Sequence, residues 1–142
     1  MASQVRDVMT PEVTTVPPEA RLQDVARIMR DEDIGAVPVV QGEQLLGMIT
    51  DRDIVVRAIA DGDEMQDRTV GDVMTPDVQC CLEDQNVGDV LKEMGDQQIR
   101  RLPVVNKERR LVGIVSIGDL SREAKPKQVG KSLEDISQPT GH

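Results

Sequence analysis

Apolar positions along the chain follow two periods. Leu22, Val25, Ala26 and Met29 recur at helical spacing, as do Val87, Val90, Leu91 and Met94, and each set draws one apolar stripe along a predicted helix. The runs Val37–Val40, Leu45–Ile49, Leu102–Val105 and Leu111–Val115 are short apolar stretches bounded by polar turns, which predicts strands. Val13–Val16 and Val78–Leu82 are expected to be short strands, each following a Thr-Pro turn. Second helices are expected over Asp51–Ala60 and Ile117–Ala124. Each half of the chain therefore has the order β-α-β-β-α.

The halves are copies of one another. Val5-Arg6-Asp7-Val8-Met9-Thr10-Pro11 returns 65 positions later as Val70-Gly71-Asp72-Val73-Met74-Thr75-Pro76. Ile34-Gly35-Ala36-Val37-Pro38-Val39-Val40 returns as Ile99-Arg100-Arg101-Leu102-Pro103-Val104-Val105. The expected division is repeat 1 over 5–60, a connector over 61–69, repeat 2 over 70–124, and a mostly disordered tail over 125–142, with a short helix at Lys131–Ile136 as its one candidate element. A unit of this size buries too little apolar surface to stand alone, so two tandem copies are expected to pack sheet to sheet in pseudo-twofold symmetry, an α+β architecture. Met9, Met29, Met74 and Met94 suit core filling.

Composition narrows the function. The 142 residues carry 17 Lys and Arg against 26 Asp and Glu, a formal charge of −9. Such an acidic chain does not suit a nucleic-acid backbone or an anionic membrane surface. No apolar run is long enough to span a bilayer, and MASQVRDVMT does not resemble a signal peptide, so a cytoplasmic location is expected. There is no Phe, Tyr or Trp, so a bound base must rest on aliphatic side chains. His142 is the only histidine, which removes His-dependent triads and His-metal sites from the folded part, and no enzyme, metal or cofactor is expected. Cys80 and Cys81 are adjacent, which suits a strand with one thiol in and one out rather than a metal motif; a redox-responsive pair is the other reading.

The candidate chemistry lies in Gly47-Met48-Ile49-Thr50-Asp51-Arg52-Asp53 and its partner Gly113-Ile114-Val115-Ser116-Ile117-Gly118-Asp119. Each has a hydroxyl followed three residues later by a carboxylate, at a predicted strand-to-helix junction. One reading is a helix capping box. The other is a nucleotide site, in which the hydroxyl and free N–H groups meet phosphate and the Asp accepts the two hydroxyls of a ribose. Three features favour the second: Asp is short for a reciprocal cap, the Gly lets something approach the backbone, and both copies keep the pattern.

These residues closely resemble the nucleotide motif of the CBS domain, and the resemblance spans Val5–Ile54 and Val70–Leu120, including the Asp-Val-Met-Thr-Pro opening. The whole chain resembles small stand-alone bacterial CBS-pair proteins of the hypoxic-response class. The resemblance implies a tandem pair with two clefts between the repeats, adenosyl ligands such as AMP, ADP, ATP or S-adenosylmethionine, and a homodimer. It would place Asp53 and Asp119 on ribose hydroxyls and Thr50 and Ser116 on phosphate. Arg100 and Arg101 stand where the gamma subunit of AMP-activated protein kinase places basic phosphate contacts, whereas repeat 1 has Gly35 and Ala36 there. Arg52 is either a local charge for the ligand or part of a solvated helix face. Candidates for the base are Thr15, Val16, Ile34, Val37, Pro38 and Met48 in repeat 1, and Cys81, Ile99, Leu102, Pro103 and Ile114 in repeat 2; all are equally core candidates.

Two functions from different classes follow. The first is a ligand-sensing regulatory module of the stress-response kind that signals in trans to a partner protein. The second is a structural dimerisation protein with empty or vestigial clefts, in which both motifs are caps. Ile54, Val55, Ala58 and Ile59, with Ile117 and Leu120, are expected to form apolar helix faces closed by a twofold partner.

Overall fold

The computed structural model describes residues 3–60, 62 and 67–122; the tail and part of the connector lie outside the described residues. The elements are α1 (Val5–Val8), α2 (Leu22–Glu32), β1 (Ala36–Gln41), β2 (Gln44–Thr50), α3 (Asp51–Asp53), a π-helix (Ile54–Ile59), α4 (Val70–Val73), β3 (Thr75–Pro76), β4 (Cys81–Leu82), α5 (Val87–Gln97), β5 (Arg101–Val105), β6 (Leu111–Ser116) and α6 (Ile117–Ser121). They form two compact units, each with a three-stranded sheet.

The unit Thr14–Val78 orders its strands β1-β2-β3, all antiparallel. Its core gathers Leu22, Val25 and Met29 from the stripe of α2, Val37, Val39 and Ile49 from the sheet, and Val70 and Val73 from α4. The other unit joins the chain up to Val13 with the chain from Gln79 onward. There β4 lies parallel to β5, and β5 pairs antiparallel with β6. Val5 of α1 is fully buried in that core with Val90, Leu91, Met94, Leu102, Val104, Val115 and Leu120. Each sequence repeat thus gives its opening segment to the unit built by the other repeat.

Backbone hydrogen bonds repeat across the two seatings. Val70 N–H donates to the Ala20 carbonyl and Gly71 N–H to that of Pro18, each at 2.8 Å; Val5 and Arg6 N–H donate to the Gln85 and Glu83 carbonyls at 2.9 Å. The Thr-Pro segments, expected as turns, lie along strands instead. Gly47 pairs with Pro76 and Met48 with Thr75, while Thr10 bridges Ile114. A strand over Val13–Val16 does not form; Val16 makes a single bridge to Val39, because the chain leaves that edge at Pro17 and Pro18, which lack N–H donors. The strand expected over Val78–Leu82 narrows to Cys81–Leu82.

The second helix of repeat 1 also departs from expectation. It begins as α3 and continues as a six-residue π-helix, which turns Ile54 and Ala58 into the core and leaves Val55, Val56 and Ile59 exposed. Ile54 and Ala58 are therefore not part of an open apolar face, and Leu120 is likewise buried while Ile117 is half-buried. Among the described residues no helix is long and apolar enough to cross a membrane.

Gly47 and Gly113 explain how closely the opening segments can sit. A Cβ on Gly47 would fall on the Thr75 carbonyl oxygen, and one on Gly113 would lie 2.8 Å from both the Thr10 carbonyl oxygen and Met9 Sδ. Gly47→Ala should therefore separate β3 from β2 and cost about 1–3 kcal/mol, read as a lower urea midpoint. Unchanged stability would show that the seating of Thr75 and Pro76 does not require a bare backbone at Gly47.

Candidate functional site

At both junctions the strand's last residue is an extended N-cap, Thr50 at φ −117°, ψ 161° and Ser116 at φ −111°, ψ 163°. Thr50 Oγ1 accepts the Asp53 N–H at 3.0 Å, and the Thr50 N–H donates to Asp53 Oδ2 at 3.0 Å. Ser116 Oγ accepts the Asp119 N–H at 3.1 Å, and the Ser116 N–H donates to Asp119 Oδ2 at 2.9 Å. Asp is therefore long enough for the reciprocal cap, contrary to the expectation from its length. The extended backbone turns the N-cap N–H back over the first turn, within reach of the shorter side chain.

The same device opens α1 and α4. The Gln4 N–H donates to Asp7 Oδ2 and the Thr69 N–H to Asp72 Oδ2, both at 3.0 Å. The N–H and hydroxyl of Thr69 hold the Asp72 carboxyl below its usual range. Four boxes of one design mean that the box alone carries no information about a ligand. Nor does the glycine, because what approaches it is the chain's own opening segment, Thr75 and Pro76 at Gly47 and Met9 and Thr10 at Gly113.

What surrounds the two Asp residues does differ. Asp53 is the one charged residue buried among the described residues. Thr75 Oγ1 donates to its Oδ1 at 3.5 Å, and Arg57 Nε lies 3.8 Å from the same oxygen. Arg57 Nη1 also donates to the Val73 and Met74 carbonyls at 3.2 and 3.1 Å, which caps the C-terminal end of α4. Arg57 and Thr75 were not expected from the sequence; the i, i+4 spacing of Asp53 and Arg57 was the available signal for one of them. Asp119 is half-buried, and no second partner for its carboxylate occurs among the described residues.

The flanking positions diverge too. Arg101 is the ladder partner of Ser116, so the two share a sheet face, and the Arg100 carbonyl accepts the Ile117 N–H at 3.0 Å. In repeat 1 Ala36 is the partner of Thr50, and the Gly35 carbonyl accepts the Asp51 N–H at 3.0 Å. Arg100 and Arg101 are exposed and take part in no ion pair among the described residues. Arg52 is exposed, with its N–H on Asp51 Oδ1 at 2.8 Å.

Of the base candidates, Val16, Val37, Cys81 and Leu102 are core side chains, and Pro38 and Pro103 are buried. Thr15, Ile34, Met48, Ile99 and Ile114 are half-buried. The sheets bring Met48 opposite Pro38 and Ile114 opposite Pro103. A surface cavity of about 290 Å³, lined in part by Arg6, Glu83, Asp84 and Lys107, contains none of the predicted site residues.

Cys80 is half-buried and Cys81 buried, both as free thiols. Burial, with the nearby Cys80 and Glu93, pushes the Cys81 thiol from 9.0 up to about 12. Its folded value lies above the unfolded one, so the protonated thiol contributes stability that is full below about pH 9 and is lost as pH rises toward 12. The chain should lose up to about 1.4 kcal/mol per pH unit across that window, relative to Cys81→Val. Parallel pH profiles for the two proteins in urea unfolding would rule this out.

The family model described as CBS domain matches residues 5–59 and 70–125. The chain is 38% identical over 141 residues to the CBS domain-containing protein YhcV of Bacillus subtilis, covering 99% of each. It is 34% identical over 135 residues to hypoxic response protein 1 of Mycobacterium tuberculosis, covering 94% of each. Among solved structures it is similar to hypoxic response protein I with two coordinated zinc ions (TM-score 0.77, 35% identity, 87% of this chain and 100% of that one). Among the described residues of this chain no group of three His, Cys, Asp or Glu is placed to hold a metal. It is also similar to CBSX2 of Arabidopsis thaliana in complex with AMP (TM-score 0.73, 26% identity, 84% and 93% covered). A further match is the CBS pair of MJ0100 with 5′-methylthioadenosine and S-adenosylmethionine (TM-score 0.72, 31% identity, 84% and 98% covered). With both repeats matched over most of their length, and each unit built around the same strand–helix junction, the chain belongs to the CBS domain family.

Proposed function

We propose that the chain is a regulatory protein, not an enzyme, that binds adenosyl ligands such as AMP, ADP, ATP or S-adenosylmethionine at the junctions of its two repeats and signals in trans. The observation that carries this reading is the pair of exposed, unpaired arginines, Arg100 and Arg101, set beside the Ser116–Asp119 junction of an acidic protein. The AMP, 5′-methylthioadenosine and S-adenosylmethionine complexes of similar CBS pairs support it. Asp53 and Asp119 accept ribose hydroxyls through lone pairs left after capping, Thr50 and Ser116 hold matching places beside the ligand, and at the second junction Arg100 and Arg101 pair with its phosphate. Arg52 is a further cation at the first junction. The base rests on half-buried aliphatic groups such as Met48 and Ile114. The nucleotide is a ligand rather than a cofactor, and the protein acts in the cytoplasm in a stress response.

A second reading is favoured by one observation. All four boxes are satisfied within the chain, so the two junctions can serve as caps in a structural dimerisation protein.

Thermal melts with each ligand separate the two. A ligand at about 100 times its Kd adds about 2.7 kcal/mol to folded stability, a shift of several degrees. Asp119→Ala should weaken binding by roughly 10- to 150-fold and, because the residue also caps α6, lower stability by about 1 kcal/mol. A chain that melts identically with all four ligands, and whose Asp119→Ala variant loses only stability, fits the cap reading.

Val55, Val56 and Ile59 support a homodimer, since about half of each side chain is exposed on one short segment. Val55→Asp should then give monomers that stay folded and melt cooperatively, at a temperature lowered by the lost association. Light scattering near 15.6 kDa for the unsubstituted chain at micromolar concentration would exclude the dimer.

A further inference from the structure

The two junctions differ most in charge, and the difference falls on residues that do not serve the caps. In repeat 2 the positions before and at the start of β5 are Arg100 and Arg101, and the residue after the N-cap is the apolar Ile117. In repeat 1 the same positions are Gly35 and Ala36, and the residue after the N-cap is Asp51. The Asp51 carboxylate lies over Gly35, since a Cβ there would be only 3.1 Å from Oδ2. It therefore occupies the side of the first junction that corresponds to the arginine side of the second.

The cations of repeat 1 do not reverse this. Arg57 is committed to Asp53 and to the Val73 and Met74 carbonyls. Arg52 is exposed and at most offsets Asp51, its immediate neighbour. Leaving the ribose-facing Asp aside, the first junction carries no net charge and the second carries two unopposed positive charges. A phosphate dianion is attracted to the second and meets a carboxylate at the first.

We propose that the two repeats sort adenosyl ligands by charge: Arg100 and Arg101 reserve the Ser116–Asp119 junction for a phosphorylated nucleotide, while Asp51 keeps phosphate from the Thr50–Asp53 junction, which takes an adenosyl ligand lacking phosphate. This rests on the adenosyl-binding reading above and adds Asp51 as a specificity-determining residue.

Titration calorimetry on the full chain with AMP and with 5′-methylthioadenosine tests it. The unsubstituted chain should take one AMP, and that site should weaken tenfold or more in Asp119→Ala and in Arg100→Ala/Arg101→Ala, but not in Asp53→Ala. 5′-Methylthioadenosine should lose a site in Asp53→Ala. Asp51→Asn keeps the oxygen that accepts the Arg52 N–H, so it should fold normally and take a second AMP. Two equivalent AMP sites in the unsubstituted chain, loss of AMP in Asp53→Ala, or a single AMP in a natively melting Asp51→Asn chain would each overturn the sorting while leaving adenosyl binding intact. Absence of binding by both ligands would instead overturn the adenosyl reading itself, and the sorting with it.

Discussion

The close seating of each Met-Thr-Pro segment against the bare backbone of a glycine is the contact on which the rest of each unit depends. Where Thr75 and Pro76 lie along Gly47 and Met48, they supply the third strand of the β1-β2-β3 sheet and bring Val70 and Val73 into its core. Where Thr10 lies along Ile114, Val5 is delivered to the other core in the same way. A β-strand side chain at Gly47 or Gly113 would hold the segment away, and the short helix before it would lose its place. An α-helix of four residues has no stability of its own, so α1 and α4 exist because of this seating and their caps.

Arg57 ties this seating to the candidate site in one unit. Its guanidinium binds the carbonyls at the end of α4 and pairs with the Asp53 carboxylate that caps α3, and the Thr75 hydroxyl reaches the same carboxylate. Asp53 is therefore in direct contact with the segment that completes the sheet. The described part of the Asp119 environment contains no such tie, so the repeats are alike in backbone and unlike in electrostatics.

Much of the secondary structure was legible in the sequence. The stripe Leu22, Val25, Met29 and its copy Val87, Val90, Leu91, Met94 face the two cores, and four of the apolar runs form β1, β2, β5 and β6. The π-helix was not legible, because Ile54, Val55, Val56, Ala58 and Ile59 satisfy an ordinary helical stripe as well, and only packing selects which of them turn inward. The short helices α1 and α4 were also missed, because four residues make a single turn and draw no repeated apolar stripe.

The sequence by itself determined that the chain is a duplicated acidic α+β protein of the CBS family, with one hydroxyl–x–x–Asp junction per copy. Those properties are written in residue identity and spacing, and a repeat is visible without coordinates. Tertiary structure decided which copy completes which sheet, that the glycines admit the chain's own Thr-Pro segment, and that both junction Asp residues already act as caps. It also decided which charges meet them: Arg57 reaches Asp53, and Asp51 lies over Gly35. The caps and the Asp53–Arg57 pair have local spacings that the sequence shows but does not choose among. The completed sheets and the approaches to the glycines depend instead on the distance between segments far apart in the chain, which no local pattern carries.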